Sequence, residues 1–191
     1  MKRFLLVVMV LLLSMVSLAA EKVIFEDDFE DLDQWFPTTD QWLADYGALV
    51  FPEVGFGDIF AGEEDWENYA VECDILPLEY GVYGSVRLFL RMNELWHGYG
   101  VAFHPEGFLV HIFEGNWDKN LELMNADSPK FPAGKVFKVR AEVNKDIIKI
   151  FVNDKLIFEG KDEDDLYFEG MFGFRADHSA CEIKNVKVYK L

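Results

Sequence analysis

Basic residues are scarce in this sequence: its 191 residues include 18 Lys and Arg but 35 Asp and Glu, which gives a formal net charge of −17 at pH 7. A surface of this sign repels the phosphates of nucleic acids and the headgroups of anionic membranes. The composition therefore argues against nucleic acid and anionic lipid as partners. It is compatible with a neutral or a cationic partner. Alternatively, the negative charge has no partner and only keeps the protein in solution.

Cysteine and histidine are also scarce, and neither forms a motif. The two cysteines, Cys73 and Cys181, lie among alternating apolar residues, so both are expected to point into a core. They could form one disulfide if the last strand pairs beside the strand over residues 66–76, and the alternative is two buried free thiols. No Ser-His-Asp set can be recognised, so the sequence predicts no nucleophile. No zinc-ligand spacing relates the four histidines, which are His97, His104, His111 and His178.

Long hydrophobic runs are absent except at the start of the chain. There, a basic segment is followed by an almost wholly apolar stretch over residues 4–16 and by small residues. This pattern predicts a secretory signal peptide over residues 1–19 and a single domain over residues 20–191. The alternative is an uncleaved anchor, because the apolar run could nearly span a bilayer. The predicted location is secreted, periplasmic or at the cell surface, with no membrane contact after signal cleavage.

Helical periodicity, internal repeats and linkers are missing from the rest of the chain, and an alternation with a period of two takes their place. Strands recur at short intervals and are separated by turns rich in Gly, Asn, Asp and Pro. This pattern predicts an all-β fold, specifically a two-sheet antiparallel jelly-roll sandwich. The alternation is clearest over residues 66–76, 85–92, 99–104, 108–113 and 136–143.

One face of the central strands is the candidate binding site. Arg87 and Arg91 lie on one predicted strand, and the small residues Gly98, Gly100 and Ala102 lie on the next. Small residues leave room for a ligand, and arginine supplies paired donors for hydroxyl groups. This face therefore suits an oligo- or polysaccharide, which needs polar groups and an aromatic platform. The residues assigned to it are Arg87, Arg91, Trp96, His97, His111 and Trp117.

Each residue of this face also has a purely structural interpretation. A tryptophan often covers a core or a sheet edge, and Arg87 or Arg91 could pair with Glu72 or Asp74 across neighbouring strands. The polar segment over residues 115–135 is predicted to be a long loop, of the kind that is functional or that covers an edge.

The order of motifs resembles a known superfamily. Trp-x-x-Tyr-x-Val-Glu begins at Trp66, Gly-Tyr-Gly-Val begins at Gly98, and Gly-x-Phe-Gly-Phe begins at Gly170. Together these motifs are similar to the concanavalin A-like lectin/glucanase superfamily, in particular its laminin-G-like and 3-keto-disaccharide hydrolase-like domains, over residues 25–191. The resemblance implies a jelly roll whose concave face often binds carbohydrate, and it requires no cofactor.

The resemblance also raises a catalytic and a metal hypothesis. Retaining glucanases carry a nucleophile and an acid/base carboxylate on one strand, and Glu72 and Asp74 are the candidates for these roles. The pattern is incomplete, because Pro77 ends the strand before a second glutamate can share the face of Glu72. Similar modules often hold a structural calcium ion near the chain ends, and its candidate ligands are Glu26, Asp28 and Asp177.

The sequence supports three functional hypotheses. The first is an exported, non-catalytic, lectin-like carbohydrate-binding domain that uses the concave sheet face. The second is a glycoside hydrolase of the 3-keto-disaccharide hydrolase or glucanase kind. The third is a structural or protein-interaction domain of the cell envelope, in which the predicted face is flat or covered.

Overall fold

The computed structural model describes residues 21–114, 121–162 and 167–191. All elements in these ranges are β-strands, and they contain no helix long and apolar enough to cross a membrane. The predicted signal peptide over residues 1–19 and Trp117 lie outside the described residues. In chain order the strands are β1 (Lys22–Asp27), β2 (Phe36–Pro37), β3 (Leu43–Asp45), β4 (Ala48–Ala61), β5 (Tyr69–Met92), β6 (His97–His104), β7 (Gly107–Glu114), β8 (Leu121–Ala126), β9 (Phe137–Asn144), β10 (Ile147–Val152), β11 (Lys155–Lys161) and β12 (Met171–Lys190).

Two long strands, β5 and β12, run through both layers of the fold. Residues 69–75 of β5 pair with β9, whereas residues 86–90 pair with β6, because the strand bends in between. β12 pairs antiparallel with β5 along most of its length. The first sheet has the order β11-β10-β9-β5-β12. On the far side of β12, β1 and the start of β4 pair with successive parts of that strand, and β3 pairs with β4. The second sheet has the order β8-β7-β6-β5-β12-β4-β2.

The core lies between the two sheets and follows from the alternation of the sequence. In β9, for example, Val139 and Ala141 are fully buried, whereas Lys138 and Arg140 are partly exposed. The all-β, two-sheet antiparallel jelly-roll sandwich predicted from the sequence is therefore confirmed. From the second sheet, the core includes Val86, Leu88, Leu90, Val101, Phe103, Val110, Phe172 and Phe174.

The sequence divides strands that are continuous in the structure. The strands predicted over residues 66–76 and 85–92 form the single strand β5. The loop predicted over residues 115–135 contains β8, and Gly55 and Gly57 lie inside β4. Glycine and proline mark bends in these long strands rather than their ends.

Cys73 and Cys181 are buried free thiols. The last strand does pair beside β5, but the register places Cys181 opposite Pro77. Pro77 lies four positions beyond Cys73, which corresponds to about 13 Å along a strand. Because a disulfide needs Cα atoms within about 7 Å of each other, this register excludes the bond. Burial raises the pKa of both thiols, so they remain protonated at neutral pH.

Candidate functional site

The outer face of the second sheet carries the candidate site. Ser85, Arg87 and Phe89 of β5 point towards this face, whereas Val86 and Leu88 between them belong to the main core. The neighbouring strand β6 contributes only small side chains to the middle of the face, as the sequence predicts.

Two buried ion pairs occupy the middle of the outer face. Arg87 donates to Asp177 over 2.7 Å, and Arg175 donates to Asp58 over 2.5 and 2.9 Å. The register places Arg87 directly opposite Arg175, so each buried guanidinium needs its own carboxylate. Burial lowers the pKa of Arg87 to about 10 although Asp177 opposes this shift, and the side chain stays charged at neutral pH. Arg87 also donates to the hydroxyl of Ser85 over 3.2 Å, which fixes its orientation.

The ring of His111 fills part of the space that β6 leaves. His111 lies opposite Gly100, and a Cβ atom at Gly100 would collide with the imidazole. Burial, followed by repulsion from Arg87 and Arg175, lowers the pKa of His111 to about 3, so the ring is neutral at physiological pH. The expectation that this space is open to a ligand is therefore wrong over Gly100.

Aromatic side chains fill the end of the outer face nearest the β5–β6 turn. Phe60, Phe89 and Phe113 form a small cluster with Met92, separate from the main core. Phe60 stacks on Phe89 with 5.9 Å between ring centroids, and Trp96 packs on Phe60 with 4.9 Å between centroids. We call this region the aromatic end. Its rings fill the outer face here, and Phe60, Met92 and Trp96 also line a small cavity of about 60 Å³ at its outer limit.

Arg175 separates the aromatic end from the rest of the outer face. Its guanidinium carbon lies 4.7 Å from the ring centroid of Phe56, 5.1 Å from that of Phe89 and 4.9 Å from that of Phe113. Such cation–π contacts stabilise a charged group among aromatic rings. Because Asp58 binds the same guanidinium, the side chain is fixed at this boundary.

A cavity of about 500 Å³ opens at the opposite end of the outer face, beside the bend in β5. We call it the pocket. Ala102 and Leu109 give it apolar surface, and Tyr83 lies at its rim with 96% of its surface exposed. The polar residues that line it are Ser85, Arg87, His104, Glu106 and Asn125.

His104 and Glu106 flank the turn between β6 and β7 at the pocket. Partial burial lowers the pKa of His104, and Arg87 acts in the same direction, whereas Glu106 and Asp127 oppose the shift. Glu106 forms an exposed ion pair with Lys130 over 2.5 Å. The pocket thus offers a guanidinium, an imidazole and a carboxamide as hydrogen-bonding groups beside apolar surface.

The sequence matches the family of 3-keto-alpha-glucoside-1,2-lyase-like domains over residues 21–189. The chain belongs to this family. The match confirms the resemblance to 3-keto-disaccharide hydrolase-like domains that the motifs indicate. No curated protein matches the chain by sequence.

Several solved structures share the fold at low sequence identity. The carbohydrate binding module CBM66 from Bacillus subtilis is 18% identical, with a TM-score of 0.71 over 84% of this chain and 98% of that one. Domain 4 of AbnA, a GH43 extracellular arabinanase from Geobacillus stearothermophilus in complex with arabinotriose, is 12% identical, with a TM-score of 0.61 over 89% and 93%. The exoplasmic/lumenal domain of VIP36 in its Ca²⁺/Man3GlcNAc-bound form is 10% identical, with a TM-score of 0.66 over 86% and 87%. These matches confirm the concanavalin A-like fold.

Arg91 does not lie on the outer face with Arg87, so this part of the sequence prediction is wrong. A φ of 51° at Arg91 takes the residue out of the regular alternation of the strand. Its buried guanidinium donates to the carbonyl oxygens of Glu67 at 2.8 Å, Lys145 at 2.7 Å and Tyr167 at 2.9 Å. Arg91 therefore joins three chain segments and has a structural role.

Trp96 and His97, which the sequence assigns to the ligand face, do not line the pocket. Trp96 belongs to the aromatic end, at the other limit of the face. His97 shares a side of β6 with the core residue Tyr99, and its ring lies 6.1 Å from that of Tyr167. Of the predicted ligand-binding residues that the structure describes, Arg87 is the one that lines the pocket.

Glu72 and Asp74 lie on the outer face of the first sheet. Glu72 accepts from Arg140 over 2.9 Å and pairs with Lys138 over 3.4 Å, and Asp74 accepts from the amide of Asn185 over 2.6 Å. Because β5 bends between the two sheets, these carboxylates do not share a face with the residues after the bend. Their predicted pairing with the arginines of the ligand face is wrong, and they form no catalytic pair at the pocket.

The predicted calcium ligands are not brought together. Asp177 is paired with Arg87 on the second sheet, whereas Glu26 is paired with Lys187 over 2.6 Å on the first. Asp28 follows the end of β1. Within residues 21–114, 121–162 and 167–191, no group of three or more His, Cys, Asp or Glu side chains could hold a metal ion.

Asp58, Arg175 and Tyr83 also belong to this face, and the sequence pattern alone does not identify them as site residues. Asp58 lies between Gly57 and Ile59 in a stretch whose glycines favour a turn, so its strand is not recognised. The signal that could have found Asp58 is the alternation of the strand. Asp58 lies on the side of the strand opposite to the core residues, and when that side is also buried its carboxylate requires a cationic partner.

Proposed function

We propose that this protein is an exported, non-catalytic carbohydrate-binding domain and that the pocket is its saccharide site. The observation that carries the proposal is the placement of Arg87. Arg87 lines an open cavity of about 500 Å³, and its guanidinium is fixed by Asp177 and Ser85. Cavities of roughly 300–1,000 Å³ with a few convergent polar groups are typical of ligand sites.

The chemistry of the pocket supports a saccharide. Arg87, His104 and Asn125 can exchange hydrogen bonds with sugar hydroxyls, and the apolar surface suits the carbon-bound face of a sugar ring. Tyr83 supplies an exposed aromatic platform at the rim. Its backbone φ of 59° is unfavourable for a side chain of this size, and such conformations concentrate at ligand sites.

The electrostatics of the pocket favour a neutral sugar. The charge of Arg87 is balanced by Asp177, and Glu106 is balanced by Lys130. His111, behind the pocket, is neutral at physiological pH. A pocket with balanced charges binds through hydrogen bonds and stacking rather than through net charge.

The solved structures support the same class of ligand. The AbnA domain is in complex with arabinotriose, the VIP36 domain is bound to Man3GlcNAc, and CBM66 is a carbohydrate binding module. These ligands belong to those proteins, and they guide the choice of sugars for this one. A catalytic role is not favoured, because the candidate carboxylates Glu72 and Asp74 lie on the other sheet.

The test is binding of a panel of arabinan, glucan and mannan oligosaccharides, measured by isothermal titration calorimetry. The Arg87→Lys variant keeps the positive charge and the ion pair with Asp177 but loses the planar guanidinium with its paired donors. Saccharide binding should therefore weaken about tenfold. The matched control is Arg140→Lys on the first sheet, which should bind like the wild type. Absence of binding to every sugar, or equal losses in the two variants, would refute the proposal. Release of product during the titration would instead identify an enzyme.

A further inference from the structure

A second surface lies at the other end of the sandwich, beyond the aromatic end. It consists of three adjoining cavities, and each shares lining residues with another: Asn93 and Glu94 line the first and second, Met171 the first and third, and Glu64 the second and third. We call it the acidic-apolar surface. It is separate from the pocket, because the aromatic end and Arg175 lie between them.

Large apolar side chains are exposed on this surface. Phe36 is 60% exposed, Leu95 65% and Phe168 58%, and Trp96 lies beside them. These residues come from distant parts of the chain, namely β2, the β5–β6 turn and the segment before β12. A contiguous apolar patch of this kind, rimmed by polar residues, is typical of a protein-binding site.

Carboxylates surround the apolar side chains. None of them forms an ion pair with another described residue, in contrast to Glu72 and Glu26, which do. No Lys, Arg or His lines any of the three cavities within the part of the chain that the structure describes. The carboxylates are Glu63, Glu64, Asp65, Glu94 and Glu169.

We propose that the acidic-apolar surface docks a basic segment of a partner protein, in which Lys or Arg alternates with aliphatic or aromatic side chains. The exposed carboxylates would pair with the cations, and the rings of Trp96, Phe36 and Phe168 would accept both apolar and cation–π contacts. A second copy of this chain is a poor occupant, because its net charge of −17 repels an acidic surface. An anionic membrane is excluded for the same reason.

The test uses the protein with its pocket intact and a fluorescent synthetic peptide in which Arg alternates with Leu and Trp. Fluorescence anisotropy should show binding that weakens with added salt. A peptide with Glu in place of Arg should not bind, and one with Ser in place of Leu and Trp should bind at least about tenfold more weakly. Oligosaccharide binding should be unchanged by the peptide.

Two double variants and two controls localise the binding. Leu95→Ser with Phe168→Ser, and Glu64→Lys with Glu94→Lys, should each weaken peptide binding about tenfold or more, because one removes the apolar contacts and the other reverses the charge. All four side chains are on the surface, so folding should be preserved. Tyr46→Ser and Glu53→Lys make single changes of the same two kinds at exposed positions that line none of the three cavities, and they should leave the affinity within about twofold.

Three outcomes would overturn the proposal. The first is that the basic peptide does not bind at low salt. The second is that the controls weaken binding as much as the double variants do. The third is that the protein sediments as a dimer that dissociates in the double variants, which would assign the surface to a second copy of the chain.

Discussion

The two ends of the outer face of the second sheet share strand β5 but have opposite properties. At one end, β5 and β6 contribute Ser85 and Ala102, and a cavity remains open. At the other end, β4, β5 and β7 contribute Phe60, Phe89 and Phe113, and the space is filled. Inward and outward residues alternate along β5 at both ends. The size of the outward side chains therefore decides whether a sheet face becomes a ligand site or a second core.

The largest expected effect tests whether the aromatic end is a true second core. Phe89→Ala should lower the free energy of unfolding by about 3–5 kcal/mol, because the side chain is fully buried. The measurement is urea denaturation at neutral pH. The matched control is Phe56→Ala at the half-exposed ring that packs on Arg175, for which a loss of about 1 kcal/mol is expected. Equal losses in the two variants would remove the distinction between the ends.

The next largest effect is a loss of folding stability at acid pH that is caused by His111 in the middle of the face. The direction of this change follows from the pKa of His111. The pKa is about 3 in the folded protein and about 6.5 when unfolded, so the unfolded state binds the proton between these values. The neutral, buried His111 therefore contributes its full share to the free energy of unfolding above pH 6.5, and this contribution is lost as the pH falls towards 3. Between pH 7 and pH 5 the loss should be about 2 kcal/mol.

Comparison of variants isolates the contribution of His111 from that of the many carboxylates. His111→Gln should remove about 2 kcal/mol from the difference in unfolding free energy between pH 7 and pH 5. His178→Gln serves as the control, because the side chain of His178 is largely exposed. If the two variants have the same pH dependence, the imidazole of His111 is not buried in solution.

The smallest expected effect tests whether Tyr83 contacts a saccharide at the pocket. Tyr83→Ser should weaken saccharide binding about fivefold, which corresponds to about 1 kcal/mol of lost stacking. Unfolding should be unchanged, because the ring is almost wholly exposed. Tyr46→Ser makes the same change at an equally exposed ring away from the pocket. A loss of affinity in both variants would indicate nonspecific contacts instead of a platform at the rim.

The sequence predicts the fold better than the site, and the reason is physical. Alternation with a period of two identifies core residues such as Val139 and Leu88, and these determine the layers. The alternation does not reveal that β5 continues through a bend, so it cannot show that Glu72 and Arg87 lie on different sheets. It also cannot predict the positive φ that turns Arg91 away from the face. Both features depend on tertiary contacts between distant segments.

The pairs Arg87–Asp177 and Arg175–Asp58 show the same limit. Each pair joins residues that are far apart in the sequence, and nothing in the sequence around either aspartate identifies the arginine that it binds. The small residues of β6 did indicate available space, but the ring of His111 from the neighbouring strand occupies part of it. Which side chain fills a gap is decided by the register, and the register is fixed only when the whole sheet forms.

The continuity of β5 and β12 has a consequence for how the domain loses its structure. Since both strands belong to both layers and pair along most of their length, neither sheet can detach without breaking the backbone ladder of the other. Amide hydrogen exchange along this central pair should therefore report one global opening event rather than separate events for each layer. The pocket lies at the bend of that pair, so a sugar bound there would slow exchange in the first sheet as well as in the second.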